Sequence, residues 1–213
     1  MLFRSYSPDN NKPGPVVIVL SGQMGPDSYQ FYAAELARLG YYVVLVAGKD
    51  ILNPEQTGAA NLTKTIERAL RSPNAVKGKV AVVGFSLGGG GALFHAANMP
   101  NLVSMVVAYY PATRIWVNKI DSLVSHFQVP VLFLAAQRDR HKECCAIETA
   151  QAIEGAAKAK GLRFELVVYP EANHGFNLPV GAKGEPMGAY REDDARDAWR
   201  RTVNMLKQYQ PLP

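Results

Sequence analysis

Six apolar runs constrain this chain more than any other feature: Val16–Leu20, Tyr42–Val46, Val80–Val83, Val103–Tyr109, Val131–Ala135 and Phe164–Tyr169. They are rich in β-branched residues and nearly continuous in apolar character. A strand with one wet face alternates apolar and polar residues; a strand covered on both faces does not. The runs therefore predict a mostly parallel sheet with helices on both sides. Amphipathic stretches fall between them. Tyr29–Leu39 has helical spacing and stops at Gly40, a C-terminal cap. Glu55–Arg71 is closed by Ser72-Pro73, Leu87–Asn98 ends before Pro100, and Ala146–Lys160 ends at Gly161. Asp193–Tyr209 opens with two acids, which suit the positive end of a helix dipole. Arg114–Phe127 reads as a helix or as a shorter helix with loops. A short edge strand is expected near Leu2–Tyr6. Such alternation predicts a single α/β domain over residues 1–213. The longest stretch without an element, Gly175–Glu192, is expected to be a functional or mobile loop.

Composition narrows the partners. The chain has 213 residues, 48% hydrophobic and 19% charged, with a formal net charge of +5. It has no long basic run and no basic stripe interleaved with aromatics, which argues against nucleic acid as partner. No apolar stretch approaches the ~20 residues that span a bilayer, so no membrane partner is expected. The first residues lack the apolar core of a signal peptide, so a cytoplasmic location is the expectation. The two cysteines, Cys144 and Cys145, are adjacent. A bridge between neighbours closes no useful loop, so they are expected to be reduced and packed near the start of a helix.

The chemistry is concentrated after three of the strands. Gly84-Phe85-Ser86-Leu87-Gly88 follows one of them and opens an Ala- and Gly-rich helix, which is the strand–turn–helix setting of a nucleophile elbow. A serine at such a turn has a strained backbone, so the residues two before and two after must lack bulk. Asp139 follows Val131–Ala135, and His174 follows Phe164–Tyr169. In an open parallel sheet, active residues gather beyond the carboxyl ends of the strands. A hydroxyl is a weak nucleophile at neutral pH. His174 would take the Ser86 proton and return it to the leaving group, while Asp139 would fix the imidazole tautomer. His141 is the second candidate for the base. The oxyanion formed by attack needs fixed donors. The Leu87 N–H is one; the other is assigned to Gln23, or to Met24, in the loop Ser21-Gly22-Gln23-Met24-Gly25. Met24, Tyr110 and Phe176 are the expected substrate contacts; Arg114 and Arg191 read first as solvated arginines, with a substrate carboxylate as the alternative partner. No histidine–carboxylate cluster has metal-ligand spacing, and Gly88–Gly91 matches neither phosphate-binding fingerprint, so neither metal nor cofactor is expected.

These residues resemble the dienelactone hydrolase family of α/β-hydrolases. The resemblance rests on Val83-Gly84-Phe85-Ser86-Leu87-Gly88-Gly89, on Val107-Ala108-Tyr109-Tyr110-Pro111, on Asp139, and on Tyr169-Pro170 with His174-Gly175-Phe176. It implies a compact α/β-hydrolase fold without a large lid and hydrolysis of small esters or lactones. Two departures matter. The namesake enzymes use a cysteine nucleophile where this chain has Ser86, and a glutamate in the oxyanion loop where it has Gly22. The expectation is therefore a serine carboxylesterase acting through an acyl-serine on a small-molecule ester or lactone. Peptidase, amidase or thioesterase action on the same triad, and a ligand-binding protein on an idle hydrolase frame, are the alternatives.

Overall fold

The computed structural model describes residues 3–10, 12–181 and 183–213. One sheet organises them. Its strands are β1 (Phe3–Tyr6), β2 (Val16–Leu20), β3 (Tyr42–Val46), β4 (Val80–Phe85), β5 (Val103–Tyr109), β6 (Val131–Ala136) and β7 (Phe164–Tyr169). They lie in the order β1-β3-β2-β4-β5-β6-β7. Only β1 is antiparallel to its neighbour. The expected edge strand is thus present, although Leu2 lies outside the described residues.

The helices are α1 (Gln30–Arg38), α2 (Gly58–Leu70), α3 (Leu87–Phe94), α4 (Ile120–Val124), α5 (Ile147–Ala159) and α6 (Glu192–Tyr209). Successive residues of a strand point to opposite faces, and the core divides accordingly. Val16, Ile18 and Leu20 pack with α2 through α5, whereas Val17 and Val19 pack with α1 and α6. Every residue of β2, β3 and β4 is buried, which is why these runs are apolar throughout. Each Val, Leu, Ile or Phe side chain among them adds about 1.5–3 kcal/mol relative to exposure.

The sequence places α2 too early and α3 too long, for local reasons. Gln56 has φ 55°, and the Asn53 side chain accepts the Thr57 N–H at 3.1 Å. That turn consumes the first three residues of the expected helix. Beyond Phe94 the chain tightens into a single 3-10 turn, Ala96–Asn98. Arg114–Phe127 holds a 3-10 turn at Arg114–Trp116 and then the short α4; Trp116 is anchored on Phe94, ring centroids 5.3 Å apart. β7 departs from the two-sided pattern. It is an edge strand, half-exposed along most of its length, with Glu165 reaching Arg201 of α6 at 3.2 Å.

The order also fixes where a crevice forms. From β2 the chain moves outward to β3, then crosses back to β4 on the other side of β2. The loops after β2 and β4 therefore diverge to opposite faces and leave a gap at the strand ends, where ligands bind in open α/β sheets.

Candidate active site

Ser86 sits at the end of β4 with φ 50° and ψ −114°. A non-glycine residue there is strained, at a cost of order 1–3 kcal/mol. The surroundings hold it. Its N–H donates to the Tyr109 carbonyl at 2.9 Å, and its own carbonyl accepts from Gly90 at 2.9 Å and Ala112 at 2.8 Å. A Cβ on Gly84 would stand 2.4 Å from the Gly88 carbonyl oxygen, and one on Gly88 would stand 2.4 Å from that of Leu20. Only glycine lets the elbow seat this tightly on β2.

Two further loops converge on the hydroxyl. His174 Nε2 lies 3.0 Å from Ser86 Oγ, and His174 Nδ1 lies 2.6 Å from Asp139 Oδ2. A carboxylate only accepts, so Nδ1–H donates to Asp139 and Nε2 is left to accept from Ser86. The other Asp139 oxygen accepts the His141 backbone N–H at 3.0 Å. The Asp139 side chain is almost wholly buried, that of His174 partly so. The Asp139 and His174 loops are tied together. The Arg138 N–H donates to the Ala172 carbonyl at 2.9 Å, and the Arg138 guanidinium meets Glu171 at 2.5 Å. The Tyr110 ring supports the imidazole from below, centroids 4.7 Å apart, and its hydroxyl donates to Asn177 Oδ1 at 2.7 Å.

The cavity over these groups has a volume of about 260 Å³ and is walled by Gln23, Met24, Tyr29, Tyr110, Leu178 and Met187. Gln23 and Met24 border this cavity, and Ser86 Cβ lies close enough to their loop that a Cβ on Gly22 would approach it to 3.3 Å. Leu87 opens α3, so its N–H is among the first-turn donors that lack a partner within the helix. Burial lifts the Tyr29 phenol far above the ordinary tyrosine range, with hydrogen bonds to the Gly22 backbone and Tyr110 pulling back. Tyr29 is therefore a neutral wall at physiological pH.

Two expectations need correction. Phe176 does not line the cavity. It is fully buried against Tyr169, Tyr110 and Tyr109, because the Gly175 backbone, at φ 81°, turns the chain inward directly after His174. Cys144 and Cys145 are not free thiols but a disulfide, with Cα atoms 3.8 Å apart. The local turn, not loop closure, brings the two sulfurs together. Lys142 and Glu143 both have positive φ, and Thr113 and Arg114 hold the Cys144 carbonyl by their N–H groups. These contacts present the two side chains to each other just ahead of α5.

His141 is the second candidate for the base. It is exposed, yet it also lines the cavity and stacks on His174, centroids 4.5 Å apart and planes within 14°. Burial, the neighbouring His174 and Lys142 all lower its pKa, so it stacks as a neutral ring. Its nitrogens show no contact to Ser86, and a loop position offers no sequence signal for stacking.

The dienelactone hydrolase family model matches residues 3–210. A Yersinia pestis protein named "Putative carboxymethylenebutenolidase" is 29% identical over 222 residues, covering 92% of this chain and 79% of that protein. Across the curated relatives it matches, the chain spans between 47% and 79% of their length. Among solved structures, "Putative Dienelactone Hydrolase" from Klebsiella pneumoniae superposes with TM-score 0.77 at 21% identity, covering 98% of this chain and 100% of that one. Thermogutta terrifontis esterase 2, phosphonylated by sarin, gives TM-score 0.73 at 14% identity, covering 99% and 90%.

Proposed function

Because this chain belongs to the dienelactone hydrolase family, whose members hydrolyse esters, we propose that it is a serine hydrolase that cleaves small carboxylic esters or lactones through an acyl-Ser86 intermediate. The observation that carries this reading is the continuous link from Ser86 Oγ through His174 to Asp139, at 3.0 and 2.6 Å. His174 Nε2 accepts the Ser86 proton as Oγ attacks the carbonyl carbon. The N–H groups of Leu87 and Gln23 receive the oxyanion. The imidazolium, steadied by Asp139, gives its proton to the departing alkoxide. Water then loses a proton to the same nitrogen as its oxygen bonds the acyl carbon; that proton passes to the departing Ser86 Oγ, and the acid is released. Hydroxyl rather than thiol attack agrees with the residue at position 86 and with Gly22 at the place where the namesake enzymes carry a glutamate.

The cavity favours a small, mainly apolar substrate. Its volume of about 260 Å³ lies just below the usual range for drug-sized ligands, roughly 300–1,000 Å³. Met24, Tyr110, Leu178 and Met187 offer apolar contact. A panel of chromogenic esters with varied acyl and alcohol parts tests the reading. Short acyl chains are expected to turn over fastest, and His174→Ala is expected to reduce turnover by about two to four orders of magnitude while the circular dichroism spectrum is unchanged. Near-normal turnover in that variant, or hydrolysis of thioesters or peptides in preference to every ester, contradicts it.

A further inference from the structure

The disulfide lies beside the base. One sulfur from each of Cys144 and Cys145 and an imidazole nitrogen of His174 all fall within 4.8 Å of one another. We propose that reduction of the Cys144–Cys145 bridge turns these three residues into a soft-metal site, and that a thiophilic divalent cation held there switches the hydrolase off. The switching half of this inference rests on the proposed triad; the metal site does not.

The donor set suits such an ion. Two thiolates and one imidazole nitrogen are a ligand combination that zinc and its heavier relatives take, with a fourth position left for water. Donor atoms around a zinc-sized ion stand about 3.5–3.8 Å apart, given bonds of roughly 2.0–2.3 Å. Starting within 4.8 Å, the imidazole needs only a small adjustment, and each freed cysteine can swing its sulfur about one rotor. Cys144 is half-buried rather than sealed, so the cation has an approach from solvent.

The chemistry balances in two steps. Two molecules of a low-molecular-weight thiol reduce the bridge; each protein sulfur gains an electron and a proton, and the external thiols leave joined as a disulfide. The cation then displaces one proton from each protein thiol and accepts a lone pair from the imidazole. Both nitrogens of His174 are already engaged, one by Asp139 and one by Ser86. Whichever nitrogen the metal takes, one link of the relay is lost. The bridge in its oxidised form keeps the thiolates from forming, and so protects the enzyme.

Cadmium is the probe, because its bonds to thiolate absorb in the near ultraviolet. In reduced, desalted protein, one Cd²⁺ per chain is expected to produce this absorption and to lower ester turnover by at least about a hundredfold, the scale of a lost general base. Chelation should restore turnover. The disulfide form should be unaffected at the same concentration, and the double variant Cys144→Ser, Cys145→Ser should keep its turnover and resist cadmium. His174→Ala, assayed by absorption alone, should bind Cd²⁺ more weakly by over about tenfold, since losses in a metal's outer shell already reach that size. Thiolate absorption without inhibition, equal affinity in His174→Ala, or equal inhibition of the double serine variant would overturn the proposal. A wild type with no ester turnover would instead refute the hydrolase reading, and the affinity of His174→Ala would still decide the metal site.

Discussion

The centre and the edge of the sheet hold the two halves of the site by different means. Ser86 stands on β4, between β2 and β5, where every strand residue is buried and glycines seat the elbow against the neighbouring backbone. Asp139 and His174 stand on loops after β6 and β7, where the outer strand is half-exposed and the contacts between the loops are an ion pair and a backbone bond. Packing is stiff and insensitive to solution conditions, whereas ion pairs respond to salt and pH. The Ser86 turn is thus held by packing, whereas the Asp139 and His174 loops rest on contacts that solution conditions can reach.

This contrast is tested most severely at Asp139. Asp139→Asn keeps the shape of the edge loop but no longer fixes the His174 tautomer. Turnover of the best ester should fall by about three to four orders of magnitude, with thermal stability little changed. A parallel collapse of stability would mean that the edge is structural rather than tuned. At the centre the balance should reverse. Gly88→Ala pushes a methyl to 2.4 Å from the Leu20 carbonyl oxygen. Denaturant titration should show a loss of about 1–3 kcal/mol, the usual cost of overpacking. An unaltered midpoint would show that the elbow has slack.

A smaller effect separates the regions by pH. Tyr109 lies in the central core, hydrogen-bonded to Thr202 and Tyr32, and burial lifts its phenol from 10.0 to about 12. An acid whose neutral form is favoured by folding stabilises the protein fully below its unfolded pKa. That contribution is lost as pH rises from about 10 through about 12. The melting temperature should therefore fall over this alkaline window, and Tyr109→Phe should flatten the fall. A flat profile in the wild type would show that the centre is wetter than its packing implies.

The same division governs how much the sequence revealed. The parallel sheet was legible because burial on both faces forces unbroken apolar runs, and four of the six runs match their strands end to end. Ser86 was legible because the elbow needs glycine two residues to either side. Asp139 and His174 could be placed only by their positions after strands, since the contact between them spans 35 residues of chain. The stacking of His141 and the bridge between Cys144 and Cys145 depend on turns with positive φ at Lys142 and Glu143. Neither residue type announces a left-handed backbone, so no pattern in the chain foretold them. Phe176 was misplaced for a related reason: an aromatic residue beside a base fits a pocket wall and a core equally well until the turn at Gly175 decides.

The central claim is that Ser86 is activated by its neighbours, and intact-protein mass spectrometry after treatment with a fluorophosphonate tests it most directly. The account predicts one covalent adduct per chain, mapped to Ser86 and absent from Ser86→Ala. A folded wild type that takes no label, or a Ser86→Ala variant that labels as readily, would contradict it.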